Sequence, residues 1–321
     1  MCDLVVLHHG AIGDFLLALS VIQSVRRHLE VRRVTAIATA ASARLAAGRS
    51  AVDDWRSPEA VGLHSLFRDD GALDQRLIGL LHPAMRVLSF LSGPTEAMHA
   101  RLSGGRVGAG TGPAALPSAT HHPPRVVSVD PRPSGSPRHI TGQWTEAVRS
   151  QGWSVSDPDP AILRMERRAS NGHDRRPRVL IHPGAGGLDK CWPAERFMEL
   201  ADALAAHAVH WMLGPTELEI EPARFDGLRR RAAGRNEPVW IADRLEPAAE
   251  RIAEADLYIG NDAGMTHLAA AVGVRTVALF GPTDPRIWRP LGEHVTVVAP
   301  PRPGPIADVQ VEEVRKALLA P

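Results

Sequence analysis

Four short stretches of this sequence put reactive or anion-binding side chains where a strand gives way to a helix. The first is "HHGAIGD", residues 8–14, in which Asp14 follows Gly13 at the start of a segment with helical apolar spacing. A carboxylate there is an ordinary helix cap, or a general base if it is aimed at a substrate. A helix N-terminus keeps an Asp ionised and weakly basic, so it serves as a base only when held close to the hydroxyl and helped by a good leaving group. The second stretch is "IHPGAGGLDKCWP", residues 181–193. Gly184, Gly186 and Gly187 leave backbone amides accessible, and Lys190 adds a cation. This is a phosphate cradle in its physics, without the Walker spelling. A flexible loop with a solvated lysine is the alternative.

The third stretch is "GPTELE", residues 214–219, where Glu217 follows a strand end. An acid at that place in a nucleotide-binding unit accepts both ribose hydroxyls; a solvated acidic helix start fits equally. The fourth is "YIGNDAGMTHLAAAVG", residues 258–273. The first amides of a helix lack partners and its dipole is positive there, so a diphosphate suits the turn. Asn261 or Asp262 caps it, Gly264 allows close approach, and Thr266 and His267 stand in the first turn as further donors. Taken alone, the turn is as well explained by a capped helix with its small-residue face on a sheet.

The elements that must hold these turns alternate strand and helix. "LVVL" leads into a helix carrying Phe15, Leu16, Leu19, Ile22 and Val25, followed by the strand "VRRVTAIAT" and a short helix. "MRVLSFLSG" predicts another strand with a helix over 94–104. Within 104–137, a region rich in Gly, Pro, Ser and His, the stretches 104–124 and 129–139 predict long loops, and 139–153 a helix. After a polar linker at 170–178 the pattern begins again with "RVLIH" and ends in the amphipathic "VQVEEVRKALLA". Two α/β halves with parallel sheets are expected, residues 1–170 and 171–321, as Rossmann-like domains facing a cleft.

Composition narrows the function classes. The chain has 321 residues, 44% of them apolar, and a net charge of +1 that gives no bulk attraction to nucleic acid. Two cysteines support neither a disulfide framework nor a Cys-based zinc site, and a reducing, cytoplasmic setting is expected. No leader is visible and no apolar run approaches membrane-spanning length, so any contact with the inner membrane is expected to be peripheral. Lysine occurs only at 190 and 316, which singles out Lys190. The "DPD" at 157–159 sits in a turn, "GAGTG" at 108–112 runs into Pro113, and the pairs His8–His9 and His121–His122 lack helical metal-site spacing. No metal site is expected.

Together, "GAIGDFLLALSVIQSVRR", "LIHPGAGGLDKCWPAERFMELADAL" and "ADLYIGNDAGMTHLAAAVGVRTVALFGPTDPRIWRP" resemble glycosyltransferase family 9, the lipopolysaccharide heptosyltransferases. The resemblance implies a GT-B fold with the sugar nucleotide mainly in the C-terminal domain and the last helix crossing back to the N-terminal one. It implies an inverting, metal-independent transfer, with ADP-heptose as donor and a glycan or glycolipid as acceptor, by a monomer. Asp14 matches the catalytic base and Lys190 the lysine that stabilises the diphosphate. Glu217 matches the ribose-binding acid, with Glu219 close by, and Asp262, Ala263, Gly264 and His267 match the nucleotide-sugar turn. Two departures stand out. Ala263 replaces the usual Ser or Thr, for which Thr266 is a candidate substitute, and the loop before Lys190 has Ala185, Gly186 and Gly187 where hydroxyl residues are common. Residues 53–82, where an acceptor would bind, match poorly; Arg56, Arg68 and Arg106 are the candidates for holding an anionic acceptor.

The implied mechanism has Asp14 taking the acceptor proton while Lys190 offsets charge on the leaving diphosphate and domain closure excludes water. A non-catalytic nucleotide-sugar-binding relative is the alternative, favoured by the missing hydroxyls and opposed by Asp14 and Lys190. A Rossmann dehydrogenase or epimerase is a third reading. The absence of G-x-G-x-x-G after the first strand opposes the dehydrogenase.

Overall fold

The structure, a computed structural model, describes residues 2–68, 73–81, 86–92, 101–102, 124–160, 163–166, 176–220 and 222–319. Arg106, "GAGTG", His121–His122, most of the helix expected over 94–104 and most of the 170–178 linker lie outside these residues. The chain divides into two compact units, Met1–Asp159 and Pro160–Pro321.

In the first unit, β1 (Cys2–Leu7), β2 (Val31–Ile37), β3 (Asp54–Arg56), β4 (Arg86–Ser89) and β5 (Arg125–Ser128) form a parallel sheet in the order β3-β2-β1-β4-β5. From Leu4 to Leu7 β1 is all Leu and Val and buried, because the part of a strand covered on both faces must be apolar. Helix α1 (Ile12–His28) buries Phe15, Leu16, Leu19, Ile22 and Val25, the residues its spacing predicts. Helices α2 (Ala40–Ala46), α3 (Gln75–Leu81) and α4 (Ile140–Ser150) complete the described helices of this unit, with a 3-10 turn at Leu63–Phe67. β5 falls between the two stretches read as loops, 104–124 and 129–139. Only four residues form it, flanked by prolines that dominate the local composition, and its pairing with β4 supplies what its length does not.

The second unit holds β6 (Arg178–His182), β7 (Ala208–Leu213), β8 (Val239–Ile241), β9 (Leu257–Asn261), β10 (Arg275–Leu279) and β11 (Val295–Val298), in the order β11-β10-β9-β6-β7-β8. Both sheets therefore run outward in opposite directions from their first strand, and the order reverses between β1 and β4 and between β6 and β9. Ligands of open α/β sheets sit at such a reversal, beyond the carboxyl ends of the strands. The helices are α5 (Ala194–Ala203), α6 (Pro222–Arg235), α7 (Leu245–Ala253), α8 (Gly264–Val272), α9 (Pro285–Trp288) and α10 (Val311–Leu319). Terminal helix α10 packs on α5, β10 and β11 of its own unit. Its apolar stripe, Val311, Val314, Ala317 and Leu318, joins that unit's core because those strands leave this surface uncovered.

Trp192 and Phe197 anchor this core, both wholly buried, with ring centroids 4.9 Å apart and planes at 87°. The Trp192 indole N–H donates to the Val309 carbonyl, 3.0 Å away, which fixes the approach to α10. Among the described residues no helix is long and apolar enough to cross a membrane. Phe197→Ala is expected to cost about 3–5 kcal/mol through lost burial and the cavity left behind. Urea denaturation measures it, and a loss under about 1 kcal/mol would mean that the core refills the space.

Candidate functional site

The second unit brings the loops after β6 and β9 together. Asn261, the last residue of β9, is fully buried. Its side-chain amide donates to the carbonyls of Pro183, at 2.8 Å, and Gly184, at 3.3 Å. Its Oδ1 accepts the Trp192 backbone N–H at 3.1 Å. Sequence reasoning assigned Asn261 only a cap; it is the brace between two strand-end loops. The one available signal was an Asn ending an apolar buried strand, where an amide must find partners.

Lys190 then meets Asp262, with Nζ 2.7 Å from Oδ2. The lysine side chain is 35% exposed and the carboxylate 7%, so Lys190 is neither free nor simply solvated. His267, also buried, lies with Nε2 3.9 Å from the other carboxylate oxygen. Ala263 precedes the first turn of α8 in an extended conformation and supplies no side-chain cap; Gly264 opens the helix. Thr266 is wholly buried and donates its hydroxyl proton to the Asn261 carbonyl at 2.5 Å. That proton is therefore committed inside the protein, which corrects the expectation that Thr266 replaces the hydroxyl missing at Ala263. What remains at this turn is a set of helix-start amides beside a lysine already facing an acid.

Glu217 is buried, not solvated, on a π-helical turn at Thr216–Ile220. Its Oε2 accepts the Gly214 backbone N–H at 2.5 Å. Its other oxygen lies where a side chain at Gly184 would be: a Cβ there would fall 1.5 Å from Oε1. Gly184 is thus the seat for the Glu217 carboxylate, whereas a Cβ at Gly186 would meet nothing. Beside them His182 is fully enclosed; burial lowers its pKa against the opposing pull of Glu217, and its Nδ1 has no hydrogen-bond partner among the described residues. Burial pushes the neighbouring Cys191 thiol up, away from reactivity.

In the first unit the corresponding reversal opens into a cavity of about 500 Å³, lined by His9, Gly10 and Asp14 after β1 and by Phe90, Leu91 and Ser92 after β4. Asp14 stands in the first turn of α1, half-buried, and faces this space. Of the arginines proposed for an anionic acceptor, Arg56 is exposed and paired with Asp54 at 2.8 Å, and neither it nor Arg68 is in the lining. His8 forms the floor of this loop: it is 2% exposed, edge-on to Phe15, and its Nδ1 accepts the Gly10 N–H at 3.2 Å. Burial, helped by His9, lowers its pKa to about 4, so it is neutral here. Residues 53–82, unreadable as a site in the sequence, supply Pro58, Glu59, Leu63, His64 and Phe67 to the same cavity. Among the described residues no three His, Cys, Asp or Glu side chains gather as a metal cage.

Two parallel sheets of this order in tandem, each with its candidate turns at the strand reversal, are the α/β halves of a GT-B protein. The model for glycosyltransferase family 9 (heptosyltransferase) matches residues 153–315, and the chain belongs to that family. It is similar to lipopolysaccharide heptosyltransferase 3 of Escherichia coli, 30% identical over 148 residues, covering 44% of this chain and 42% of that one. It is likewise similar to lipooligosaccharide heptosyltransferase 2 of Haemophilus influenzae, 32% identical over 133 residues, covering 38% and 36%. The chain spans about two fifths of the length of the curated relatives it matches. Among solved structures it resembles the E. coli ADP-heptose lps heptosyltransferase II, with a TM-score of 0.70 at 17% identity over 99% of this chain and 98% of that one. It also resembles the E. coli heptosyltransferase WaaC with ADP, with a TM-score of 0.65 at 16% identity over 99% of both chains.

Two outcomes check this geometry. Gly184→Ala should displace Glu217 from its bond to Gly214 and lower stability by about 1–3 kcal/mol, as overpacking does; denaturant unfolding at the wild-type midpoint would contradict it. His8 takes its proton near pH 4 when folded but near its ordinary value of 6.5 when unfolded. The unfolded chain then holds more protons between those values, so stability is retained above the upper one and lost as pH falls through the window. The part due to His8 is about 3 kcal/mol at pH 4. Urea unfolding at both ends of the window should show His8→Gln losing clearly less than wild type; equal losses would remove His8 from the acid response.

Proposed function

We propose that this chain is a glycosyltransferase that moves a sugar from a nucleotide sugar, ADP-heptose by analogy with its relatives, onto a hydroxyl of a lipopolysaccharide-core or related glycan acceptor. The reaction proposed is inverting and uses no metal. The observation that carries it is the meeting of Lys190 and Asp262 across the two strand-end loops at the N-terminus of α8. A diphosphate on those amides puts its charge beside the ammonium group, which the buried carboxylate holds in place until then. Glu217, in the adjoining loop, is the acid for the ribose. The likeness to a heptosyltransferase solved with ADP supports the same reading.

The chemical step is a single displacement. The acceptor oxygen attacks the anomeric carbon, the bond from that carbon to the diphosphate oxygen breaks, and the hydroxyl proton passes to the Asp14 carboxylate. Bond formation opposite the leaving group gives inversion. Lys190 and the α8 amides stabilise the departing charge, which is where preorganised donors lower a barrier most. Asp14 need not be a strong base, because the diphosphate leaves readily.

Isothermal titration with ADP and ADP-heptose, paired with a transfer assay, tests the proposal. Lys190→Ala should weaken ADP binding by about tenfold or more, in line with the loss of a charge-assisted contact. Asp14→Asn should keep ADP affinity and lower transfer by about 10²–10⁴-fold, the range for a general base. Wild-type transfer by Asp14→Asn would rule out the base assigned here. Absence of binding by either nucleotide would rule out the donor site. Tight binding with no transfer to any glycan would identify a non-catalytic relative.

A further inference from the structure

The turn that carries Asp14 rests on a buried imidazole. His8 follows β1 directly, and its backbone N–H donates to the Ile37 carbonyl at the end of β2, 2.9 Å away. Its ring lies edge-on to Phe15 of α1, with centroids 5.1 Å apart, and is tilted against Phe90 after β4 at 5.9 Å. Phe90 in turn stands edge-on to the buried Trp144 of α4 at 5.4 Å. Clamped in this way, the imidazole aims Nδ1 at the Gly10 N–H, 3.2 Å away. Burial keeps the ring neutral, and because Nδ1 accepts, the ring proton sits on Nε2.

Gly10 stands between this ring and the Asp14 carboxylate. A Cβ on Gly10 would lie 2.9 Å from His8 Cε1, 3.2 Å from Asp14 Oδ2 and 3.3 Å from Asp14 Cβ. The imidazole edge and the carboxylate therefore close on the same small space, the one a side chain at position 10 would fill. Ala11, which caps α1, brings no side-chain bond of its own to this loop.

We infer that His8 is a positioning residue for the transfer: by holding Gly10 it fixes the seat against which the Asp14 carboxylate leans, and so sets how that carboxylate faces the cavity. The inference rests on the proposal above that Asp14 accepts the acceptor proton. A general base must come within about 2.6–3.2 Å of the group it deprotonates, and a misplacement of about 1 Å costs about 10²-fold in rate. The helix fixes the Asp14 backbone, but the carboxylate still chooses among staggered rotamers, and what it packs against decides the choice. Asp14 also has a hydrogen-bonded or electrostatic contact; the seat adds a steric limit to it. An aliphatic side chain at position 8 would fill the same volume but leave the Gly10 N–H without its acceptor, freeing the loop to shift.

The test uses the full chain and a matched set of substitutions. His8→Leu keeps bulk and removes the acceptor, His8→Asn puts an oxygen in the place of Nδ1, and Gly10→Ala fills the seat. The side-chain carboxyl ¹³C resonance of Asp14, assigned by its loss in Asp14→Asn, reports the placement without turnover. It should move in His8→Leu and Gly10→Ala and stay near the wild-type position in His8→Asn. Transfer from ADP-heptose to a lipopolysaccharide core oligosaccharide lacking heptose reports the consequence. His8→Leu and Gly10→Ala should lower kcat by about 10–100-fold, with His8→Asn within about threefold of wild type and ADP affinity unchanged throughout. In the Asp14→Asn background His8→Leu should cost less than about twofold more, because no base is left to place, whereas a general loss of folding would persist there. A resonance unmoved in both His8→Leu and Gly10→Ala, equal displacement in His8→Asn and His8→Leu, or a His8→Leu loss as large in Asp14→Asn as in wild type would overturn the inference and leave Asp14 as the base. Wild-type transfer by Asp14→Asn would instead remove the base, and this inference with it.

Discussion

The turn that opens α8 depends on one buried amide. Asn261 ends β9 with no solvent contact, and its side chain satisfies two carbonyls and one N–H from the chain that follows β6. Each of those backbone groups would otherwise be orphaned in the interior, at a cost comparable to a lost hydrogen bond. Its own carbonyl takes the Thr266 hydroxyl, which pins the first turn of α8. The strand end, the glycine loop and the helix start are thereby one rigid piece, and Lys190 faces Asp262 as a consequence. Polar satisfaction, rather than hydrophobic packing, sets the place of every charged group at this turn.

The first unit meets the same need differently. Its strand-end loop is closed by a histidine that burial keeps neutral, so that Nδ1 can accept the Gly10 N–H. A charged imidazole would carry a proton on that nitrogen and lose the bond. The two reversals also differ in character. The turn in the second unit is built of paired charges and amide dipoles suited to an anion, whereas that in the first is an apolar cavity edged with carboxylates.

Membership of glycosyltransferase family 9 does not settle each residue's part. Ala263 and Thr266 show why. A hydroxyl two or three positions along a helix start looks interchangeable in a sequence, but Thr266 points back to the strand and spends its proton there. At Ala263 the protein offers only backbone. In the proposed reaction the donor is held here by N–H groups and Lys190, a set that reads negative charge and is indifferent to much else about the sugar.

The sequence by itself determined the α/β alternation, most strands and helices, and the turns carrying Asp14, Lys190 and Asp262, because apolar periodicity and strand-to-helix punctuation are local properties. α8 falls where its spacing placed it, with Gly273 in the left-handed conformation that ends it. Four-residue β5 was hidden in proline-rich surroundings because its stability comes from β4. Only the tertiary structure decided that Glu217 is buried against Gly184, that Thr266 faces inward and Asn261 braces two loops, and that residues 53–82 wall the cavity at Asp14. Those outcomes depend on contacts between residues far apart in the chain, and local spacing carries no record of which distant group will leave a carbonyl, or an empty volume, to be filled.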